Sequence, residues 1–258
     1  MVPKIIHYCW LSGDPVPEKL QRYMESWKKY LPDYEIKQWD ERNFDVDMIP
    51  YTAEAYKQKK YAFVSDYARF WIIYKYGGLY FDTDVEILKP LDTIISNGNF
   101  MGFEVDPDGE NTPGKYAPRY CFAVNPGVGF GMETEHPFMK KMIDLYSELE
   151  FEIPPSNIAW YKTIVAYTTE MLCEEGLRNV KGIQEVNGIK IYPHDYFSPI
   201  NMISGRSHLT YNTRTIHRFM GSWGGQRKSI RDVVRELLPE WIFFVNNKLK
   251  RRNYRVNE

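Results

Sequence analysis

The stretch YKYGGLYFDTDVEILKPL, Tyr74 to Leu91, has two carboxylates one residue apart directly after an apolar, aromatic run. Gly77 and Gly78 predict the end of a helix, because glycine readily adopts the left-handed backbone that closes one. LYFDTDVEIL is then predicted to be a strand, and residues two apart on a strand face the same side. Asp82 and Asp84 should therefore point together, where their charges repel unless a cation lies between them.

Strand and helix patterns alternate before this stretch. KIIHYCWL predicts a first strand, residues 18–30 a helix, and YEIKQWD a second strand. Residues 52–76 predict one long helix that leads to the glycine pair. This order indicates a Rossmann-like α/β fold, with a mixed, mainly parallel sheet flanked by helices.

The rest of the chain gives a weaker signal. A helix is predicted over 136–150, another in PPSNIAWYKTIVAYTTEML after its prolines, and a short strand in IKIYP. No internal repeat or linker is evident, so residues 1–225 are predicted to form a single domain and residues 226–258 a tail.

Composition narrows the class of protein. The 258 residues are 43% hydrophobic and 26% charged, as is typical of a globular domain, and the net charge of −1 gives no basic field for nucleic acid. Three cysteines without a CxxC pair indicate a reducing compartment and no zinc site. With no signal region and no apolar run of about 20 residues, a cytoplasmic protein is expected.

The tail has a charge of its own. Residues 226–258 contain nine Lys or Arg against four acids, together with the apolar run WIFFV. One interpretation is a basic amphipathic helix at the inner face of an anionic membrane, as a peripheral contact. The other is a C-terminal helix that docks on the domain, and the sequence leaves both open.

The paired carboxylates suggest metal chemistry. Mn²⁺ and Mg²⁺ take oxygen ligands and often share them with substrate phosphates. Ligands of open α/β sheets bind where strands end, so a metal with a nucleotide diphosphate is a candidate for Asp82 and Asp84. On the preceding helix, Asp66 and Arg69 share one apolar face. They form either a salt bridge on a solvated stripe or, as we favour, part of the ligand site.

A second group of polar residues lies far downstream, in TIHRFMGSW (215–223). His217 could be a third metal ligand, and Ser222 and the indole N–H of Trp223 could donate to phosphate oxygens. The alternative is that His217 is hydrogen-bonded within the core and that Trp223 only packs.

Four blocks in this order resemble glycosyltransferase family 32, the "DXD sugar-binding" group. They are HYCWLSG, SDYARFWIIYKYGGLYFDTDVEILKPLD, IYPHDYFSPI and IHRFMGSW. The group includes bacterial capsular-polysaccharide transferases and fungal-type α-1,6-mannosyltransferases, and the central block also resembles the large glucosylating toxins. The resemblance implies a GT-A fold, a nucleotide-sugar donor, a divalent cation, usually Mn²⁺, and retention of anomeric configuration.

The resemblance also implies roles for particular residues. Trp10 would lie near the base, Asp66 and Arg69 would hold the donor sugar, and Asp84 would be the direct metal ligand. Tyr80 and Asp82 would contact sugar or ribose. The block with His217, Ser222 and Trp223 would close over the diphosphate, and Asn125 and His136 resemble a segment near the acceptor or donor sugar. SNIAWY (156–161) departs from the glycine-proline pair of many relatives, which leaves any role of Asn157 open.

The expected function is transfer of a hexose from a nucleotide sugar, a UDP-sugar before GDP-mannose, to a glycan or lipid-linked oligosaccharide in surface-polysaccharide synthesis. A toxin-like protein glycosyltransferase is an alternative. FDTDVEIL alone also fits a haloacid-dehalogenase-type phosphatase, in which the first aspartate is the nucleophile. A catalytically degenerate sugar-binding adaptor is the non-enzymatic alternative.

Overall fold

A computed structural model of the chain describes residues 1–107, 122–152, 163–200 and 207–220. All of them lie within one compact unit, Met1–Met220. The predicted domain end at residue 225 and the tail 226–258 lie outside the described residues, so that division stays a prediction. In the part of the chain that is described, no helix is both long and apolar enough to cross a membrane.

The strands and helices alternate along the first half of the chain. The strands are β1 (Ile5–Cys9), β2 (Glu35–Trp39), β3 (Gly78–Tyr80), β4 (Val85–Ile87), β5 (Asn99–Val105), β6 (Ala123–Val124), β7 (Phe130–Met132), β8 (Gln184–Val186), β9 (Ile189–Tyr192) and β10 (Thr215–His217). The helices are α1 (Glu18–Tyr30), α2 (Pro50–Lys57), α3 (Tyr61–Tyr76), α4 (Asp92–Ile95), α5 (Pro137–Ser147), α6 (Ile164–Glu174) and α7 (His194–Phe197), with a 3₁₀ helix at Pro126–Val128.

The main sheet has the strand order β2-β1-β3-β7-β5-β9-β8, with β6 beside β5. β1 is parallel to β2 and β3, and β5 is parallel to β9. β7 is antiparallel to both β3 and β5, so β5 runs in the same direction as β3. Five strands of this sheet therefore share one direction, which confirms the predicted mixed, mainly parallel α/β sheet. β4 and β10 form a separate antiparallel pair.

Helices cover both faces of the sheet. Successive strand residues face opposite sides, and on β3 Leu79 packs in one apolar cluster and Tyr80 in another. The cluster around Leu79 contains Trp27 of α1 and Phe197 of α7, and the cluster around Tyr80 contains much of α3 and α5. The predicted flanking helices are thus confirmed.

Two local predictions are wrong. The helix predicted over 52–76 is two helices, because Lys59 has a φ of 55° and a left-handed residue cannot continue an α-helix. The strand predicted for LYFDTDVEIL is also divided. β3 ends at Tyr80, and the Val85 N–H donates to the Asp82 carbonyl at 3.0 Å, which closes a turn before β4.

The junction of α3 and β3 is as predicted. Gly77 caps α3 with a φ of 61°, and Gly78 has a φ of 102°. A side chain at Gly78 would lie 2.5 Å from the Ile5 carbonyl oxygen, so glycine lets β3 come close to β1. His7 of β1 spans the same junction, with Nε2 3.0 Å from the Gly77 carbonyl and Nδ1 3.0 Å from the Trp39 indole nitrogen.

Candidate functional site

Asp82 and Asp84 lie in the turn that follows β3, at the carboxyl end of a parallel strand. They are therefore not on a strand, and the turn rather than strand alternation brings both carboxylates to one place. Asp84 is buried, whereas the Asp82 side chain is 28% exposed. The Met220 N–H donates to Asp84 Oδ2 at 2.8 Å, which fixes the orientation of that carboxylate.

Pairing of β10 with β4 brings His217 to this turn. His217 is opposite Val85 in the antiparallel register, next to Asp84. Its Nε2 atom lies 3.1 Å from Asp84 Oδ1. The ring of Phe219, whose φ of 48° is unusual for an aromatic residue, packs against the imidazole at 4.3 Å between ring centres.

The three side chains form a group that fits a divalent cation. Asp82, Asp84 and His217 each offer one ligand atom, and these atoms lie within 4.8 Å of one another. Two carboxylate oxygens with one imidazole nitrogen suit Mn²⁺ better than Mg²⁺, which prefers oxygen alone. Among the described residues the buried Nδ1 of His217 has no hydrogen-bond partner, so the ring is held through its other nitrogen.

We call Asp82, Asp84 and His217 the metal-ligand group. Its two carboxylates favour a positive charge between them. Burial lowers the pKa of His217, but Asp84 and Asp82 outweigh that effect and raise it to about 9. Burial raises the pKa of Asp84, but His217 and the Met220 N–H more than offset this, so it lies below its usual value. Without a cation the group therefore holds a proton on His217, and a bound cation would satisfy the same two carboxylates.

Arg69 and Asp66 of α3 lie next to Asp82. Arg69 Nη2 lies 2.9 Å from Asp66 Oδ1 and 3.3 Å from Asp82 Oδ1. Only 3% of the Arg69 side chain and 1% of the Asp66 side chain are exposed. The ion pair anticipated as one alternative exists, but its placement on a solvated stripe is wrong, because α3 packs between the sheet and α5.

The ring of Tyr80 packs against the guanidinium of Arg69 in this ion pair. Its ring centre is 4.9 Å from the Arg69 guanidinium, and only 1% of the residue is exposed. It therefore supports Arg69 through a cation–π contact, and the contact of Tyr80 with sugar or ribose stays a prediction. Asp66 Oδ2 is buried without a hydrogen-bond partner among the described residues, so one carboxylate oxygen is unused.

The 3₁₀ helix Pro126–Val128 packs directly against Asp82. A Cβ at Gly127 would lie 2.3 Å from Asp82 Oδ2 and 3.0 Å from Asn125 Oδ1, so glycine is required for this approach. Asn125 Oδ1 accepts from the Gly127 N–H at 2.6 Å, and its Nδ2 donates to Glu104 Oε2 at 2.7 Å. Asn125 thus lies close to Asp82, and its place near a sugar stays a prediction.

Other predicted residues lie elsewhere. Trp10 follows β1 at the same edge of the sheet, half-buried, with its indole N–H donating to the Asp14 carbonyl at 2.7 Å. His136 caps α5 by accepting from the Phe138 N–H at 3.2 Å, and its place near a sugar stays a prediction. The predicted Ser222 and Trp223, and also Asn157, lie outside the described residues.

The sequence patterns alone missed three parts of the site, namely Glu104, Gly127 and the backbone N–H of Met220. Glu104 left one signal, because it is a charged residue within the otherwise apolar strand NFMGFEV. The other two act through backbone geometry, which residue type does not reveal.

Comparison with known proteins identifies the segment that contains this turn. Residues 17–101 match the family described as "Glycosyltransferase sugar-binding region containing DXD motif". These residues are similar to a DXD-type sugar-binding region. Asp82-Thr83-Asp84 is an Asp-x-Asp sequence within the matched segment, and α3 with its ion pair lies in the same segment.

Curated mannosyltransferases are similar to part of the chain. The initiation-specific alpha-1,6-mannosyltransferase of Candida albicans is 30% identical over 162 residues, which are 55% of this chain and 41% of the relative. Inositol phosphoceramide mannosyltransferase 3 of Schizosaccharomyces pombe is 35% identical over 98 residues, 36% of this chain and 27% of the relative. The chain thus spans less than half the length of either relative. A solved PaToxG glycosyltransferase is 19% identical, with a TM-score of 0.46 over 68% of this chain and 69% of its own.

Proposed function

We propose that the protein is a metal-dependent, retaining glycosyltransferase of GT-A type that moves a hexose from a nucleoside-diphosphate sugar to a glycan or lipid-linked acceptor. One observation carries the proposal: Asp82, Asp84 and His217 converge beside the buried Arg69–Asp66 ion pair. A group of metal ligands beside an arginine suits a diphosphate, whose negative charge grows as the glycosidic bond breaks. The matched DXD region and the named relatives support the same reaction class.

The cation, when bound, would supply positive charge that neutralises the departing diphosphate. The chain's own residues would do the rest. Arg69 adds fixed positive charge next to Asp82, and it needs no reorganisation because Asp66, Ser65 and Tyr80 already hold it. Asp66 would orient the sugar by holding Arg69 in place rather than by removing a proton, because only 1% of its side chain is exposed.

Retention is proposed from the resemblance to family 32. In that proposal the acceptor attacks the face from which the diphosphate departs. The leaving phosphate oxygen takes the proton of the acceptor hydroxyl, so no side-chain base is required. The sugar passes through an oxocarbenium-like state, as in other glycosyl transfers.

The names of the relatives bear on the donor and the acceptor. A UDP-sugar was expected from the sequence, but the relatives are named for mannosyl transfer, so GDP-mannose belongs in the same test. The relatives named for inositol phosphoceramide support a lipid-linked acceptor. Surface-polysaccharide synthesis at the inner face of a membrane, with the basic tail as the contact, remains the proposed setting.

A thermal-shift experiment tests the proposal. UDP-glucose, UDP-galactose and GDP-mannose are each added with and without Mn²⁺, because a ligand that binds the native state raises the melting temperature. We expect one of them to raise it only when Mn²⁺ is present. No shift with any donor, or hydrolysis of p-nitrophenyl phosphate in place of a nucleotide sugar, would overturn the proposal. Donor binding without hydrolysis or transfer would identify an adaptor.

A further inference from the structure

Glu104 is a carboxylate near the end of β5 and is not one of the three candidate metal ligands. It is half-buried and follows four buried residues of the strand, Phe100 to Phe103. Burial raises its pKa, and the charge on His217 opposes that rise. Since Asn125, which donates to Oε2, is a neutral amide, it does not offset the charge of this carboxylate.

Glu104 is connected to the metal-ligand group through Asn125. Asn125 Oδ1 and Asp82 Oδ2 both lie within 3.0 Å of the point that a Cβ on Gly127 would occupy. Glu104 therefore contacts Asn125, and Asn125 and Asp82 both lie beside Gly127. Arg69 adjoins the same point, with Nη1 3.3 Å from it, and its Nη2 is 3.3 Å from Asp82 Oδ1.

A purely structural role explains Glu104 poorly. Holding the Asn125 amide requires only one acceptor oxygen, which a neutral glutamine would supply without the cost of burying a charge. A carboxylate has about four acceptor positions, and hydrogen bonds to a charged acceptor are about twice as strong as neutral ones. The negative charge of Glu104 would strengthen hydrogen bonds that hydroxyl groups of a ligand donate to it.

We propose that Glu104 binds a hydroxyl group of a sugar at this site and that Asn125 holds the carboxylate in position for it. The inference rests on the proposed function, because it requires a sugar beside the metal-ligand group. Donor and acceptor sugars both present hydroxyls of this chemistry. The experiment below separates these two sources.

The test compares Glu104→Gln with the wild-type chain, and Glu185→Gln on the exposed face of β8 is the matched control. Glutamine keeps the size of the side chain and an oxygen for Asn125 but removes the charge. With Mn²⁺, the thermal shift caused by UDP or GDP alone should be unchanged. Transfer kcat/KM should fall about 10- to 100-fold, the effect of losing one hydrogen bond to a charged group.

Two arms locate the sugar. If Glu104 binds the donor, the extra thermal shift of the nucleotide sugar over the free nucleotide is lost in Glu104→Gln. If it binds the acceptor, that extra shift is kept and the acceptor KM rises while the donor KM does not. Either result supports the inference.

Other results overturn it. Kinetics equal to those of wild type would show that the charge is not used. Loss of the shift with free nucleotide, in step with the nucleotide sugar, would show that Glu104 acts on the metal-ligand group instead. Failure of the wild-type chain to bind any nucleotide sugar would defeat the proposed function itself, and the wild-type measurement identifies that case separately.

Discussion

Arg69 and Asp66 form an ion pair, 2.9 Å from Nη2 to Oδ1, in which neither side chain is more than 3% exposed. Replacing Arg69 by methionine removes the positive charge but keeps an apolar side chain of similar length. Asp66 and Asp82 would then lose their partner in a buried setting, which typically costs about 3–5 kcal/mol. Urea unfolding should show a loss of stability of this size.

A double variant that also removes the charge of Asp66 provides the control for that experiment. In the double variant Asp66→Asn/Arg69→Met one unpaired charge is removed, so part of the lost stability should return. Arg22→Met breaks the exposed pair between Arg22 and Glu18 and should change the free energy of unfolding little. If Arg69→Met were as stable as wild type, the buried ion pair would not contribute as the structure indicates.

Asp84→Asn should abolish Mn²⁺-dependent binding and leave the fold intact. The amide keeps the shape and one acceptor for the Met220 N–H, but it is a much weaker metal ligand and no longer balances His217. We expect transfer to fall by at least about 100-fold. The measurement is donor hydrolysis or transfer against Mn²⁺ concentration, with Asp33→Asn on the surface as control. Full activity of Asp84→Asn would remove Asp84 from the metal-ligand group.

Gly127→Ala should damage the site more than the fold. The new methyl group would lie 2.3 Å from Asp82 Oδ2, so the carboxylate has to move. Gly131→Ala is the matched control, because its methyl group would lie 2.5 Å from the Phe100 ring, away from the site. Both variants should lower the melting temperature, but only Gly127→Ala should also weaken the Mn²⁺-dependent thermal shift. Equal loss of that shift in both variants would contradict the close approach of the 3₁₀ helix to Asp82.

His7 should make the protein less stable in mild acid. Its Nδ1 accepts the Trp39 indole N–H, so this nitrogen has no free lone pair for a proton, and burial lowers the pKa to about 4. The unfolded chain binds a proton near pH 6.5 and the folded chain near pH 4. The contribution of His7 is thus complete above pH 6.5, falls between pH 6.5 and 4, and amounts to about 2 kcal/mol lost at pH 5.

Urea unfolding at pH 7 and pH 5 measures this effect. His7→Gln should be less stable at pH 7, because the Trp39 N–H loses its acceptor, but should lose less stability on acidification. His208→Gln, on the surface, should keep the wild-type pH dependence. An unchanged pH dependence in His7→Gln would assign the acid sensitivity to other groups.

The spacing of neighbouring residues was enough to predict those helices and strands whose ends are set by neighbouring residues. The predicted first strand, first helix and second strand agree with β1, α1 and β2 within a few residues, because spacing of apolar residues and a following proline decide them. The division between α2 and α3 was missed because one residue decides it. Lys59 takes up a left-handed backbone in a segment of ordinary helix-forming residues, a conformation that residue type gives no reason to expect.

The site was predictable in its residue types but not in its geometry. Asp82, Asp84 and His217 were singled out by charge, spacing and resemblance, and the structure brings them together. The turn between β3 and β4 was missed, since β4 leaves the main sheet to pair with β10, far along the chain. Glu104 is a charged residue in an apolar strand, but its place beside the site depends on Asn125 and Gly127, which lie far along the chain. Contacts between residues that are far apart in the chain produce no periodic pattern in the sequence.

The pairing of β4 with β10 has one further consequence. The two aspartates are held by the turn after β3, whereas the histidine arrives only when β10 has docked. By thermodynamic linkage, an ion that binds all three ligands would also hold that strand in place, and local opening of the strand would release the ion. Hydrogen exchange of the amides at residues 215–217 should therefore slow as the Mn²⁺ concentration rises.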